Sequence, residues 1–589
     1  MRLEEKDNSL PVSDKRADFG KTNKERSTPS MRLWVAAVAL ALLFLIGPVR
    51  LIREMQVMEP SAAYTASEVC PLSVKLKPGK DSGLSDVTFF HTDSYRNKSI
   101  QLWSDAVRIP TSNFDDLADV RVDPRWNIFY NFSAFLVESF PAVAAATCIE
   151  KVNVHGLVFT LEGSNKSLRP LVLAGHQDVV PVPDETASRW TYPPFEGFFD
   201  GDFLWGRGAS DCKNNVIGIF EALEALLDKG FKPRRTIIIA LGFDEETGGA
   251  QGAAKLGQHL LSKLGSKSVF MLVDEGGLGV QERYGSRFAL PSTGEKGSAD
   301  VVIELDAIGG HSSVPPRHTA IGIAAELITE IEKDEYPLNV SPESPYFHQL
   351  QCEARWSKHM DKTLRSNILK LQSDSRAKKK AIEALSQDIT SKVLMSTTQA
   401  IDIVHGGFKI NALPEKVTIQ INHRISYEHS IDKLKERLQG VVSKIADKYS
   451  LDVDAFGASV KEQKQSKGKF TVYTSSELSP APMTTTVNNP SWDLLAGSIR
   501  FVFEDFAEYP SSVESTDPEV FVSPSCMTGN TDTRYYWNLT DNIYRFTPIR
   551  QDQRLNPHAV DERVSLTGHI EGVAFFYTLI QNVDEYDGN

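Results

Sequence analysis

The sequence predicts an α/β catalytic domain built on a parallel sheet, with an α+β domain inserted into it. Three short apolar runs alternate with helical patterns between residues 155 and 275, and such alternation is typical of a parallel sheet buried on both faces. Residues 298–306 instead alternate apolar and polar side chains, which indicates an amphipathic strand. A chain of 589 residues is also too long for one ordinary core, so at least two domains are expected.

The N-terminal segment is predicted to anchor the chain in a membrane. Residues 1–32 are polar, with eight Lys or Arg and six Asp or Glu, a composition typical of a disordered tail. Residues 33–49 carry no charge and lie between Arg32 and Arg50, which favours a short transmembrane signal-anchor. A cleaved signal peptide or a buried helix would also account for this run, but a signal peptide usually starts nearer the N-terminus.

The charges around the apolar run predict its orientation. More basic residues precede it than closely follow it, so the positive-inside rule places residues 1–32 in the cytosol and the large domain in the lumen. Five Asn-x-Ser/Thr sequons agree with a lumenal domain. They begin at Asn97, Asn131, Asn165, Asn339 and Asn538.

Composition argues against several classes of function. The net charge is −13 and no long basic block appears beyond the N-terminus, so a nucleic-acid partner is not expected. The five cysteines show no CxxC spacing, which argues against a zinc–thiolate site. Because their number is odd, at least one thiol is free or paired with another chain, and the sequence assigns no disulfide.

The first half of the chain supplies the elements of the predicted parallel sheet. Residues 50–129 indicate a stalk and an N-terminal cover, and the catalytic domain is expected to begin near residue 130. Helical periodicity covers residues 132–149 and 215–227, and helix-compatible sequence follows residues 247–249 and runs to residue 264. Strands are predicted at 155–161, 171–174, 236–243 and 268–273.

Acidic residues or histidine follow three of these strands. His176 and Asp178 come after the strand at 171–174, Glu245 and Glu246 after the strand at 236–243, and Asp274 after the strand at 268–273. Because binding sites in open α/β sheets form at the carboxyl ends of strands, these side chains are expected to converge. Asp211 joins them at the start of a helix. Carboxylates that converge repel one another unless a cation is present, so we expect a divalent metal site, with Zn²⁺ favoured and Mn²⁺ or Co²⁺ as alternatives.

Four motifs carry a resemblance to a known family. GHQDVVPV, WGRGASDCK, DEETGG and VDEGG occur in this order from residue 175 to residue 277. They resemble the M20 family of co-catalytic metallopeptidases, and within it the branch of vacuolar Gly-X carboxypeptidases. The resemblance implies a zinc-exopeptidase-like catalytic domain in two parts, residues 130–295 and 481–589. Between them it implies an inserted α+β lid domain, residues 296–480.

The resemblance also implies a role for individual residues at a site with two zinc ions. Asp211 corresponds to the carboxylate that bridges the ions, Glu245 to the general base, and Asp178 to the acid that orients His176. A cis peptide bond is expected after Asp211, and the Cys212 thiol is expected to point away from the metals. The full ligand set is His176, Asp211, Glu246, Asp274 and His558, with Glu275 as the rival to Asp274.

The lid is expected to contribute substrate-binding residues. Strands are predicted at 298–306, 398–404, 417–425 and 451–456, helices at 320–331, within 355–392 and at 430–449, and a loop at 458–468. His311 resembles the histidine that polarises the scissile carbonyl. Asn411 and Arg424 resemble the residues that hold the terminal carboxylate of the substrate, because Arg can grip a carboxylate with two hydrogen bonds. Gly529 lies in a segment that resembles the family's glycine-rich substrate loop.

These observations predict a membrane-anchored vacuolar carboxypeptidase that acts on short peptides. An N-acyl amino-acid hydrolase of the same fold is the first alternative, because both activities need the same metals and carboxylate grip. A catalytically inactive binding protein is a remote alternative, since no expected ligand is missing. The cytosolic tail is expected to carry sorting information, with ubiquitin attachment at Lys6, Lys15, Lys21 or Lys24. The oligomeric state stays open.

Overall fold

The computed structural model describes residues 69–79, 83–509 and 519–589, which belong to one compact unit that runs from Thr65 to Asn589. The predicted cytosolic tail, residues 1–32, and the predicted membrane anchor, residues 33–49, lie outside the described residues. Among the residues that are described, no helix is both long and apolar enough to cross a membrane.

Strands and helices alternate along most of the described chain. The strands are β1 Cys148–Val152, β2 Gly156–Leu161, β3 Leu171–His176, β4 Phe198–Phe199, β5 Phe203–Trp205, β6 Ile237–Gly242, β7 Met271–Asp274, β8 Val280–Arg283, β9 Ser286–Ala289, β10 Ser292–Glu295, β11 Gly297–Ala307, β12 Gly310–His311, β13 Thr398–Gly406, β14 Ala412–Leu413, β15 Lys416–Ile425, β16 Asp452–Ala455, β17 Ala458–Lys461, β18 Gly468–Leu478, β19 Val520–Val522, β20 Ser525–Met527, β21 Ile543–Arg545, β22 Arg554–Leu555 and β23 Arg563–Ser565.

The α-helices begin where the sequence offers good starts. Three of these helices have an N-cap residue whose hydroxyl oxygen accepts a hydrogen bond from a backbone N–H group of the first turn. The N-cap residues are Thr319, Ser430 and Ser565. The helices are α1 Asp93–Val107, α2 Ile128–Ser139, α3 Pro141–Ala146, α4 Asp184–Ala187, α5 Lys213–Asp228, α6 Ala253–Leu264, α7 Ala320–Lys333, α8 Pro345–Trp356, α9 Lys362–Leu369, α10 Ser375–Leu385, α11 Ile389–Leu394, α12 Ile431–Tyr449, α13 Pro490–Phe501 and α14 Leu566–Glu585.

The largest sheet has eight strands in the order β1-β2-β6-β3-β7-β21-β10-β20. Its centre, from β6 through β3 and β7 to β21, is parallel, so the predicted α/β class is confirmed. Along β3, Leu171 and Leu173 pack into the core that contains α5 and α14. Val172 and Ala174 pack into the core that contains α6. Burial on both faces explains why the strand reads as a continuous apolar run.

A second sheet of six strands, β13-β15-β11-β18-β16-β17, is built entirely between Gly297 and Leu478. Helices α7 and α12 bury one of its faces. Along β15, buried and partly exposed residues alternate, as expected for a sheet covered on a single side. The charged stretch after residue 355 forms short helices, α9 to α11, that pack with α8 around a separate small core.

Two local predictions were wrong, and both concern strands at sheet edges. The helix predicted to run to residue 149 ends at Ala146. Cys148–Val152 form β1 instead, which pairs antiparallel with β2. The predicted loop at 458–468 contains β17, which pairs with β16. Both strands are partly or fully exposed along their length. An edge strand buries few side chains, so it leaves little alternation in the sequence to detect.

One disulfide links the N-terminal cover to the helices of the second half. Cys70 and Cys352 are bonded across 282 residues of sequence, and Cys352 lies in α8. Cys148, Cys212 and Cys526 are free, consistent with the expectation of at least one unpaired thiol.

Candidate metal centre

The imidazole of His176, at the end of β3, is buried and oriented by Asp178. Its Nδ1 lies 2.9 Å from the backbone carbonyl oxygen of Asp178 and 3.3 Å from Oδ1 of the same residue. Both atoms are acceptors, so Nδ1 carries a proton, and Nε2 is the nitrogen left to bind a metal. Nε2 lies 3.3 Å from Oδ1 of Asp211. A histidine oriented in this way from behind is the usual arrangement of a metal ligand.

The carboxylate of Asp178 is fully buried and accepts from several elements at once. Oδ1 accepts from the backbone N–H of Glu245 at 3.2 Å, and Oδ2 accepts from that of Glu246 at 3.0 Å and from Nδ2 of Asn113 at 2.9 Å. Burial alone would raise the pKa of Asp178, but its contacts with His176, Asn113 and the Glu246 N–H bring that pKa below its usual value. One ionised carboxylate therefore ties the end of β3 to the turn after β6.

The loop that carries Asp211 is held from behind by Glu562. Oε1 of Glu562 accepts from the backbone N–H groups of Gly208, Ser210 and Asp211 at 2.8 to 3.1 Å, and Oε2 accepts from Arg207 at 2.6 Å. The Asp211–Cys212 peptide bond is cis, as predicted.

The thiol of Cys212 forms hydrogen bonds with the backbone of His176 and none with the nearby acidic side chains that the structure describes. Its Sγ accepts from the backbone N–H of His176 at 3.3 Å and donates to the carbonyl oxygen of the same residue at 3.4 Å. Burial raises the pKa of Cys212 to about 12, so the group stays a neutral thiol and is a poor ligand.

Four of the expected ligands converge around Asp211. Oδ2 of Asp211 lies 3.3 Å from Nε2 of His558, and Oε1 of Glu246 lies 3.3 Å from the same nitrogen. Asp211, Glu246 and His558 form one set of potential ligand atoms that lie within 4.8 Å of one another, and His176, on the other oxygen of Asp211, belongs to a second such set with Asp211 and Cys212. The two carboxylates close to His558 raise the pKa of that imidazole to about 10.

Buried ligand atoms without hydrogen-bond partners indicate, independently of the motifs, that these residues could bind divalent metal ions. Nε2 of His176, Oε1 of Glu246 and Oδ2 of Asp274 are buried, yet none of them makes a hydrogen bond to a described residue. Buried polar atoms are rarely left unpaired, because removing them from water costs free energy that a partner must offset. Imidazole nitrogens and carboxylate oxygens are ligands that zinc accepts, so a cation bound by His176 and Glu246 would satisfy two of these atoms.

Glu245 lies beside this cluster. One of its oxygens is within 4.8 Å of ligand atoms of His176 and Glu246. Burial raises the pKa of Glu245 well above its ordinary value, and the neighbouring carboxylates Asp532, Glu275 and Glu246 raise it further. A carboxyl group with a raised pKa is suited to accept and return a proton near neutral pH.

Two acids at the end of β7 are candidates for the remaining ligand. Oδ1 of Asp274 accepts from the backbone N–H of Glu275 at 2.9 Å. Burial raises the pKa of Asp274 to about 6 and that of Glu275 to about 8. Nearby positive charge would stabilise either ionised group, so Glu275 stays the rival to Asp274.

The structure places the lid residues outside this cluster. His311 lies on the exposed strand β12, and its Nδ1 lies 2.7 Å from Oγ of Ser313. Pairing of β12 with β14 brings Asn411 next to it, since the backbone N–H of Ser312 donates to the Asn411 carbonyl oxygen. Arg424, on β15, donates to Oδ1 of Asn530 at 2.9 Å. Gly529 precedes this asparagine, and a Cβ there would meet no atom within 4 Å.

A family comparison agrees with this geometry. The model described as peptidase family M20/M25/M40 matches residues 172–582. The chain belongs to this family. The resemblance inferred from the four motifs is therefore confirmed.

Similar proteins share most of the length of this M20 peptidase. Carboxypeptidase S of Saccharomyces cerevisiae is 41% identical over 533 residues, which cover 90% of this chain and 90% of that protein. The mouse N-fatty-acyl-amino acid synthase/hydrolase is 31% identical over 495 residues, 82% of this chain and 87% of that protein. The crystal structure of human carnosine dipeptidase 1 superposes with a TM-score of 0.58, at 15% identity, over 86% of this chain and 100% of that chain. The last similarity supports the fold alone.

Sequence reasoning missed three residues that shape the site of this M20 peptidase. Asn113 and Glu562 lie far along the chain from the loops that they hold, and no local pattern marks them. Asp532 is buried, and neither of its carboxylate oxygens makes a hydrogen bond to a described residue. A Cβ on Gly242 or Gly249 would lie 2.4 or 2.3 Å from those oxygens, so a side chain at either position would displace the Asp532 carboxylate. The Thr-Asp-Thr-Arg run after Gly529 was a signal for Asp532.

Proposed function

We propose that this M20 peptidase is a metal-dependent carboxypeptidase that releases the C-terminal residue from short peptides of the Gly-X type. The observation that carries the proposal is the convergence of His176, Asp211, Glu246 and His558, with buried ligand atoms that lack a protein partner. The similarity to carboxypeptidase S supports the choice of a carboxypeptidase.

In this proposal two zinc ions would be held by His176, Asp211, Glu246, Asp274 and His558. Asp211 would contribute to both ligand sets, with His176 and Asp274 in one and Glu246 and His558 in the other. When bound, the ions supply a water of lowered pKa and positive charge for the oxygen of the scissile amide.

The residues of the chain perform the proton transfers and hold the substrate. Glu245 accepts a proton from the attacking water and delivers it to the leaving amine, while Asp178 keeps His176 in its ligating orientation. Asn411 and Arg424 bind the terminal carboxylate, and backbone groups near Gly529 face the peptide. His311 lies on an exposed hairpin beside two glycines, so it reaches the scissile carbonyl when the lid closes over the substrate.

An N-acyl amino-acid hydrolase is the second candidate. The observation in its favour is the similarity to the mouse N-fatty-acyl-amino acid synthase/hydrolase. Such a substrate also ends in an amide next to a free carboxylate, so the same residues would serve. An inactive binding protein is disfavoured, since each expected ligand position carries a residue able to bind metal.

Substrate assays separate these candidates. The purified lumenal portion is assayed against N-blocked dipeptides and against N-acyl amino acids of increasing chain length, before and after chelation and after Zn²⁺ is restored. The proposal expects faster cleavage of the dipeptides, lost on chelation and recovered with zinc. Preference for long-chain N-acyl amino acids would establish the second candidate, and no cleavage of either class would establish a binding protein.

The domain plan and location form a further part of the proposal. Residues 130–295 and 481–589 make up the catalytic domain and residues 296–480 the lid, in a vacuolar protein anchored by residues 33–49. A cytosolic tail, residues 1–32, would carry ubiquitin on its lysines. Protease digestion of sealed vesicles should remove an epitope on the tail and spare the large domain; a protected or glycosylated tail would reverse the topology.

A further inference from the structure

Asn530 connects the two sheets through a single side-chain amide. Its Nδ2 donates to the carbonyl oxygen of Lys296 at 2.6 Å, and its Oδ1 accepts from Nη1 of Arg424 at 2.9 Å. Lys296 lies between β10 of the eight-stranded sheet and β11 of the six-stranded sheet. The amide is therefore oriented at both ends, because its nitrogen must face a carbonyl and its oxygen must face a guanidinium.

Most of the hydrogen-bonding capacity of Arg424 stays free. A guanidinium has five N–H donors, and the contact with Asn530 is the one hydrogen bond that the described residues offer to this side chain. The nearby carboxylate of Asp300 is already bound by Asn422 and Ser476, each at 2.6 Å. Burial lowers the pKa of Arg424, the charge of Asp300 raises it in part, and the charge of Arg534 lowers it again. This environment favours an anion as the additional partner of Arg424.

The neutrality of Asn530 explains how the guanidinium can be oriented and still bind a substrate. A carboxylate at this position would form a charge-assisted pair with Arg424, roughly twice as strong as a neutral hydrogen bond, and would compete with an incoming carboxylate. An amide orients one N–H without neutralising the positive charge.

We propose that Asn530 is a positioning residue that directs Arg424 at the terminal carboxylate of the substrate. This inference rests on the proposed function, in which Arg424 binds that carboxylate. It adds a determinant of specificity for substrates with a free C-terminal carboxylate, since the same amide would give no advantage to a substrate that lacks the negative charge.

Charge substitution at this position tests the inference. Asn530→Asp should raise KM for an N-blocked dipeptide by about tenfold and leave kcat within about twofold, because the new carboxylate competes only in binding. Asn530→Ala should raise KM about threefold, because Arg424 keeps its charge and loses its orientation. For the same dipeptide with a C-terminal carboxamide, kcat/KM should not change in either variant. Asn488→Asp, the same change at an exposed asparagine, should leave all constants unchanged.

The possible results separate positioning from a structural role. Equal losses on the carboxylate and carboxamide substrates, or an unchanged KM in Asn530→Asp, would overturn the inference. Melting temperatures identify a variant that fails to fold. If Asn530→Asp fails to fold, Asn530→Ala alone tests the inference, since it places no new charge beside the Lys296 carbonyl. If the wild-type protein cleaves no substrate, the proposed function fails. Equilibrium binding of N-acetyl-leucine then tests the inference, with weaker binding expected for Asn530→Asp than for Asn488→Asp.

Discussion

Replacement of Asp178 by Asn tests whether this carboxylate organises the metal centre. Each of its oxygens faces two donors: Oδ1 faces Nδ1 of His176 and the N–H of Glu245, and Oδ2 faces the N–H of Glu246 and Nδ2 of Asn113. An asparagine must place its NH₂ group at one of these positions. In either orientation a donor then faces two donors, and two favourable contacts are lost.

The expected magnitude follows from the contact lengths. The NH₂ group takes the position with the longer contacts, 3.3 Å to His176 and 3.2 Å to Glu245. Two lost hydrogen bonds to a charged group amount to about 3 kcal/mol at the weak end of their range. Since the loss includes the carboxylate contact of His176, whose Nδ1 keeps its 2.9 Å contact with the Asp178 backbone carbonyl, metal affinity should fall by about 10- to 100-fold. Asn113→Ala removes a single donor and should have the smaller effect, about 1 kcal/mol.

Zinc competition with a chromogenic chelator measures this loss, and melting curves of the metal-free and metal-loaded forms measure stability. We expect the affinities in the order wild type, Asn113→Ala, Asp178→Asn, with the gap in melting temperature between loaded and metal-free forms shrinking in that order. An Asp178→Asn protein that binds zinc within about twofold of wild type would refute the reasoning.

Three further predictions concern other parts of the site and fold. Glu245→Gln should retain full metal content and lose about 100-fold or more in kcat, because an amide cannot accept a proton from water; a variant with wild-type turnover at full metal occupancy would exclude Glu245 as the base. Glu562→Gln should lower both zinc affinity and melting temperature, since its NH₂ group would face either the Arg207 guanidinium or the backbone N–H groups of the Asp211 loop; an unchanged zinc titration would contradict this. Cys352→Ser should lower the free energy of unfolding by about 2–4 kcal/mol through loss of the bond to Cys70; denaturant unfolding of the variant should match that of the reduced wild type, and a difference between those two would show an effect other than the disulfide.

The central sheet and the family were predictable because their signals are local. The runs at residues 171–174 and 237–243 carry no polar side chain, since both faces of these strands are covered, and they alternate with helical patterns. Binding sites in such sheets form at the carboxyl ends of strands, so GHQDVVPV and DEETGG each lie where a strand ends and candidate ligands begin. The edge strands β1 and β17 gave no comparable signal, because exposed side chains are free to vary.

The sequence by itself determined the parallel α/β core, the identity of the family and the type of chemistry, because each depends on residues close together in the chain. Only the tertiary structure decided which distant groups complete the site. Glu562 accepts from the Asp211 loop across about 350 residues, Asn113 reaches Asp178 across 65, and Asn530 meets Arg424 across 106. A hydrogen bond depends on distance in space, and folding brings these pairs within 3.1 Å of each other. The residues next to either partner in the sequence do not indicate which distant residue it will meet.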